Sequence, residues 1–323
     1  MSSGAASQEV DISVIINTFD QEPAVNLALC ALSEQDFTGS WEIIVVDDGS
    51  ADATAQIVAS RSEESRIPIV YVRIPNRGMR WCYARNVGMR LSTGRYLLFF
   101  DGDMVPDREV VRLHWTLQRE APALVVGDRL WRNASADLGE DDSAETKLQR
   151  LRASTESSDA ACRRRQAVES ALRENLLESP EPWRACFGCH ISIPSVSDVF
   201  YDETMRGWGP ADMEFAYRVQ HRHELPVRFI PDARAWHVEH SGAWHNPFRS
   251  ADVGCATEYV RQMCYMYEKH RNLNLMGVIE QGFDRLVLDE SDRWRVADRD
   301  PARDPRQMFA IALEWYTRRK DSV

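Results

Sequence analysis

No stretch of the 323-residue chain approaches the roughly 20 consecutive apolar residues that span a bilayer, so no membrane span is expected. Met1 to Gln8 are small and polar, with neither the basic nor the apolar region of a signal peptide. Positive charge is in the minority, 39 basic residues against 50 acidic ones, for a net charge of −11. That balance excludes the broad basic face of a general nucleic-acid or anionic-membrane binder, while leaving room for a local phosphate pocket. Cysteines are odd in number, seven, and lack the spacing of a disulfide framework, which suits a reducing, cytoplasmic setting. Cys186-Phe187-Gly188-Cys189 has the CxxC form, but no second pair completes a zinc site, and it reads as buried thiols on a strand. There is no internal repeat.

What the first hundred residues do have is alternation. Asp11 to Ile16, Glu42 to Val46, Ile69 to Ile74 and Tyr96 to Phe100 read as strands. Between them, spacing through Val25, Leu27, Leu29 and Leu32, around Ala53 to Ala59, and from Ala84 to Leu91 reads as helix. Strands this continuously apolar are covered on both faces, which predicts an α/β fold: a Rossmann-like, mostly parallel central sheet flanked by helices. Composition shifts near Asn133. From there to about Pro182 apolar residues are sparse, and the segment is expected to lie as helix over the surface, with Arg163-Arg164-Arg165 on a wet face. Pattern then returns. An apolar stretch runs from Phe187 to Pro194, a helix from Ala211 to His221, strands from Val227 to Ile230 and Ala233 to Val238, and a long helix from Ala251 to His270.

The chemistry gathers where strands end. Asp101-Gly102-Asp103 follows Tyr96 to Phe100 directly, delivering two carboxylates to the rim of the sheet, where ligands bind in open α/β folds. Like charges this close repel unless a cation sits between them, and hard divalent ions such as Mg2+ or Mn2+ take oxygen ligands and bridge to phosphates. On its own the triplet also makes an ordinary turn. Asp47-Asp48-Gly49-Ser50 ends the second strand, where one Asp is explained by capping the next helix and the other is not. Asn76-Arg77-Gly78 and Ala84-Arg85-Asn86-Val87-Gly88 add two arginines, whose forked guanidinium groups suit a diphosphate.

In order, Ser13-Val14-Ile15-Ile16-Asn17-Thr18-Phe19, Glu42 to Ser50, Asn76-Arg77-Gly78, Ala84 to Gly88 and Asp101-Gly102-Asp103 resemble the family 2 glycosyltransferases with a GT-A fold. The resemblance covers roughly residues 11 to 120. It implies a nucleotide-sugar site built from Thr18, Phe19, Asp20, Asp48, Arg77, Arg85, Asp101 and Gly102, with Arg77 and Arg85 on the diphosphate side. It also implies a metal, Mn2+ or Mg2+, on Asp103 and Asp101. Gly207-Trp208-Gly209-Pro210-Ala211-Asp212-Met213-Glu214 resembles the Gly-Trp-Gly-x-Glu-Asp segment of galactosyl-, N-acetylgalactosaminyl- and chondroitin-polymerase-type enzymes. By that likeness Asp212 is the catalytic base, with Trp208 and Glu214 on the acceptor side; Glu214 is also the competing candidate for the base. Ala211 departs from the Glu usual there, and His190 from an Asn, which puts acceptor identity in doubt. Ala235-Trp236-His237-Val238-Glu239-His240 resembles the family's closing strand, whose His ligates the metal; His237 is the first choice and His240 the second.

Residues 1–130 would then be the nucleotide-sugar-binding half, 131–275 the helical excursion plus the acceptor and catalytic half, and 276–323 a C-terminal extension. The resemblance implies a metal-dependent, inverting transfer from a UDP-sugar to a soluble acceptor: a small molecule, natural-product scaffold, peptide or oligosaccharide. Two other readings stay open. A nucleotidyltransferase shares the sheet and acidic site, but usually has a glycine-rich loop with a basic residue after the first strand, and Asn17 to Glu22 contains neither Gly nor Lys. A non-catalytic nucleotide-sugar or carbohydrate binder would not need both carboxylates of the triplet together with Asp212 and His237.

Overall fold

The computed structural model describes residues 9–139, 141–196, 198–239, 253–271, 283, 285–297 and 302–319. The first half builds as its alternation predicts: β1 (Ile12–Thr18), α1 (Glu22–Ser33), β2 (Trp41–Asp47), α2 (Thr54–Glu64), β3 (Ile69–Arg73), α3 (Trp81–Leu91) and β4 (Tyr96–Asp101). β2 is buried at every position and β1 at all but Asn17, as strands covered on both sides must be. These four strands are parallel, in the order β3-β2-β1-β4. Register places Asn17 beside Asp101 and Thr18 beside Asp47, so the polar ends of β1, β2 and β4 share one rim.

Beyond β4 the sheet becomes mixed. β5 (Met104–Pro106), α4 (Val110–Glu120), β6 (Leu124–Asn133), β7 (His190–Pro194) and β8 (Val227–Glu239) complete eight strands in the order β3-β2-β1-β4-β7-β6-β8-β5. β7 runs antiparallel to both β4 and β6, and β5 antiparallel to β8. The two strands expected between Val227 and Val238 are one. Gly127 pairs with Ile230 and the next residue, Asp128, with Arg234, so Pro231 to Ala233 bulge out. Proline lacks the N–H that a ladder needs, and a bulge absorbs it.

The region after Asn133 is a π-helical turn (Ala134–Leu138) followed by α5 (Ala144–Ala153) and α6 (Ala160–Leu177). It is not all wet face. Arg165 pairs with Glu239 and lies 3.8 Å above the Trp131 ring, while Glu169 is buried and bound by Arg129 and the Trp131 indole N–H. Next come α7 (Ala211–His223), α8 (Val253–His270), the hairpin β9 (Leu286–Leu288) and β10 (Trp294–Val296), and α9 (Pro305–Thr317). The expected boundary at 130 and 131 falls within β6. A single apolar cluster runs from Phe99 and Ile191 in the sheet through Trp183 and Phe215 to Tyr259, Trp294 and Trp315, so the halves and the extension share one core. Among the described residues no helix is long and apolar enough to cross a membrane.

Candidate active site

The acidic turn after β2 divides its labour. Asp47 is fully buried and spent on structure: its Oδ1 accepts from Gly49 N, Ser50 N and Ser50 Oγ, and its Oδ2 from the Tyr71 hydroxyl at 2.6 Å. Asp48 is the other kind. Its carboxylate accepts from Arg80 N at 2.8 Å and Arg80 Nη2 at 3.2 Å, and burial pushes its pKa up against that cation. Gly49 has φ +89°, and a Cβ there would meet Asn76 N at 2.5 Å, so the turn demands glycine. Arg77 lies exposed on the same loop. No local signal separates Arg77 from Arg80, and sequence reasoning missed Arg80.

On the β1 side, Thr18 accepts Asp48 N through its carbonyl, and its buried hydroxyl faces Gly102, where a Cβ would come within 2.9 Å of it. Phe19 is 40% exposed on the rim. Asp20, at φ +47°, ties the β1 and β2 loops: its N–H donates to Ser50 Oγ and its Oδ1 accepts from Ala51 N at 2.6 Å.

The two carboxylates of the Asp101-Gly102-Asp103 triplet separate. Asp101 turns to Arg85. Asp103 is buried, and Met104 beside it pairs with His237 of β8, bringing His237 Nε2 to 3.6 Å from Asp103 Oδ1. Among the described residues, Asp103 Oδ1 has no hydrogen-bond partner and Oδ2 takes a long 3.4 Å contact from Gln21 Nε2. Burial first, then the charge of Asp101, pushes the Asp103 carboxyl up to about 8. A buried carboxylate oxygen lacking a partner and facing an imidazole nitrogen fits a cation, although no three His, Cys, Asp or Glu among the described residues make a complete metal cluster. The Trp131 ring packs 4.3 Å from the His237 ring, so α6 backs the His237 side through Trp131. His240 lies outside the described residues.

Asp212 opens α7 in the loop after Gly207-Trp208-Gly209. Its Oδ1 accepts from Arg85 Nη1 at 2.7 Å, and Gly188 packs against the same carboxylate. Burial raises its pKa and the Arg85 charge opposes that. Arg85 Nη2 meets Asp101 Oδ1 at 2.6 Å, so one guanidinium joins the end of β4 to the start of α7. Sequence reasoning placed Arg85 on a diphosphate and missed Tyr201 and Gly188 beside it. Trp208 is 37% exposed, 5.5 Å from the Tyr259 ring, and its loop is held by Gln262 of α8 through the carbonyls of Arg206 and Trp208.

Two residues expected on the acceptor side lie in the interior. Glu214 is fully buried: Arg218, Lys269 and His270 all bind its carboxylate, at 2.8 to 2.9 Å. Burial alone would raise its pKa, but the hydrogen bonds from His270 and Arg218 and the charges of Arg218 and Lys269 hold it at about 2. Its carboxylate pins α7 to α8. Glu214→Gln is expected to lower unfolding stability by about 2 kcal/mol in urea, because it removes the buried anion that Arg218 and Lys269 share; an unchanged midpoint refutes the pin. His190 is buried in the sheet, 3.1 Å from His114 Nε2, with no exposure to a cleft.

This site, on a sheet of this order, defines an α/β protein whose polar groups gather at the carboxyl ends of its strands, where ligands bind in open α/β folds. Residues 13–169 match the family described as Glycosyl transferase family 2, and that part of the chain belongs to it, on a GT-A fold. It is 26% identical over 294 residues to hyaluronan synthase from Pasteurella multocida, covering 87% of this chain and 29% of that one. It is 29% identical over 249 residues to validoxylamine A glucosyltransferase from Streptomyces hygroscopicus subsp. limoneus, covering 73% and 53%. The chain thus spans between about a third and about half of the length of these relatives. In fold it is similar to residues 1–349 of Staphylococcus aureus TarS in complex with UDP-GlcNAc, at a TM-score of 0.55 and 15% identity, covering 97% of this chain and 75% of that one. It is equally similar to the mannosyltransferase PcManGT from Pyrobaculum calidifontis in complex with GDP-Man and Mn2+, at 0.56 and 13%, with the same coverage.

Proposed function

We propose that the protein is an inverting, metal-dependent glycosyltransferase that moves a hexosyl or N-acetylhexosaminyl group from a UDP-sugar to a soluble acceptor. The observation that carries this reading is the meeting of Asp101, from the nucleotide rim, and Asp212, from the opposite half, on one guanidinium. A two-substrate reaction needs that juxtaposition of donor side and base. Relatives named as glycosyltransferases and a structural neighbour bound to UDP-GlcNAc support the donor class.

Asp48, with Thr18 and Phe19, would receive the uridine, and the exposed Arg77 the diphosphate. Asp103 and His237, with Asp101 near, would hold a divalent ion, which when bound supplies Lewis-acid stabilisation of the departing diphosphate. Asp212 accepts the proton of the acceptor hydroxyl as its oxygen bonds to the anomeric carbon. The anomeric carbon–phosphate oxygen bond breaks, UDP leaves, and configuration inverts. Trp208 offers a partly exposed ring at the acceptor side, beside the loop that carries Asp212.

UDP release measured with UDP-Glc, UDP-Gal, UDP-GlcNAc and UDP-GalNAc tests the whole reading. One donor is expected to stand out, with release lost in excess EDTA and restored by Mn2+. Asp103→Ala is expected to abolish the metal effect on UDP affinity in calorimetry, whereas Asp107→Ala, a carboxylate facing Arg152 and Arg234 beyond the strand end, leaves it. Equal UDP affinity with Mn2+ and with EDTA removes the metal from the proposal; no release from any donor overturns it.

A further inference from the structure

The guanidinium of Arg85 is 1% exposed, and its three nitrogens are committed. Nε donates to Asn17 Oδ1 at 2.8 Å, Nη1 to Tyr201 Oη at 2.9 Å and Asp212 Oδ1 at 2.7 Å, and Nη2 to Asp101 Oδ1 at 2.6 Å. The Trp81 and Tyr201 rings lie 4.9 and 5.1 Å from its central carbon. A planar fork held at every nitrogen between two rings has one orientation. The recess is cut to fit: a Cβ on Gly188 would stand 1.9 Å from Asp212 Oδ1 and 2.3 Å from Arg85 Nη1. A phosphate ligand needs N–H groups turned to an open site. Arg85 instead turns its charge onto two carboxylates from opposite halves of the chain.

We infer that Arg85 is a positioning residue for the proton-accepting carboxylate, aiming Asp212 and fixing its distance from Asp101, rather than a ligand of the donor's diphosphate. The inference rests on Asp212 being the base, as proposed above. The guanidinium takes one oxygen, Oδ1, while the Asp212 side chain stays 27% exposed, so the carboxylate is anchored and still presented. A bond of 2.7 Å to a permanent cation favours the ionised form of that carboxylate, the state a base requires. Tyr201 and Asn17 hold Arg85, and Arg85 holds Asp212. Because the same group grips Asp101, movement of the rim carboxylate is transmitted to the base and the reverse.

The two roles for Arg85 separate in a binding-against-turnover comparison. UDP affinity with Mn2+ is read by calorimetry, and kcat by UDP release from the donor that stands out among the four. Arg85→Gln is expected to keep the UDP Kd within about threefold while kcat falls at least about 100-fold, and Arg85→Lys, which keeps the charge, recovers part of the loss. In the Asp212→Asn background, Arg85→Gln should cost less than about threefold more, because a residue acting through Asp212 has nothing left to position. A tenfold or greater loss of UDP affinity, or losses that multiply in the double variant, overturns the inference in favour of direct diphosphate binding. UDP binding itself reports folding of each variant, and the double variant, which removes both members of the buried pair, keeps the comparison open if Arg85→Gln alone does not fold. Near-normal turnover in Asp212→Asn alone would instead refute the base assignment, a separate failure.

Discussion

Asp212→Asn is expected to lower sugar transfer by at least about 100-fold, the usual scale of lost general-base help. The amide keeps the shape and the Arg85 contact through its oxygen, but it cannot take a proton. UDP and metal binding should hold, since Asp48 and Asp103 lie in the turns after β2 and β4 and His237 on β8, away from α7. Glu214→Gln is expected to leave turnover largely intact, because that carboxylate is buried and bound by Arg218, Lys269 and His270. Near-normal turnover in Asp212→Asn would refute the base assignment, whereas UDP binding without turnover in the parent chain would make it a nucleotide-sugar binder; rate measured beside UDP calorimetry distinguishes the two.

The second large effect is on stability, and it comes from a pair of histidines far from any substrate. His114 and His190 meet Nε2 to Nε2 at 3.1 Å, which allows one N–H between them, and His114 Nδ1 shares a 2.8 Å bond with Ser192. Burial lowers His114 to about 3, and burial together with the neighbouring His114 lowers His190 well below its ordinary value. Both are therefore neutral in the folded chain where the unfolded chain, with ordinary histidines near 6.5, takes up protons. Stability from the pair is complete above about pH 6.5 and is lost as pH falls below it. Each pH unit costs about 1.4 kcal/mol per histidine, so about 5 kcal/mol is expected to disappear by pH 4.5. That is as large as the whole net stability of many domains. Urea unfolding at half-unit pH intervals would show the slope, and His114→Gln should halve it; a flat profile between pH 7 and 5 refutes the account.

Much of the first half was legible because its signals are local. A fully apolar run such as Ile43 to Val46 has one place to go, and its end is fixed by Asp47 and Asp48. The acidic triplet after β4 announced itself for the same reason. What stayed hidden depends on contacts between residues far apart in the chain. Arg85 finds Tyr201 at 116 residues' distance and Asp212 at 127, and nothing near Arg85 records either. Asp48 chose Arg80 over Arg77, which the loop's fold decides and its composition does not. The histidine pair was invisible because a lone His reads the same in a pocket and in a core. Space for His190 exists only because Gly127 has no side chain; a Cβ there would stand 2.1 Å from its ring.

The turn between β4 and β5 has a consequence for redesign. β4 pairs with β1 and β7 near the middle of the sheet, while β5, two residues later, pairs with β8 at the edge, and Val238 N also bonds to Asp103 O at 3.0 Å. The peptide carrying Asp101 to Asp103 is therefore stitched at both ends and has no slack. The loop carrying Trp208 is held differently, by Gln262 and by a glycine at φ +72°. A laboratory seeking a new acceptor would spread its library over residues 203 to 210 and leave 101 to 106 alone.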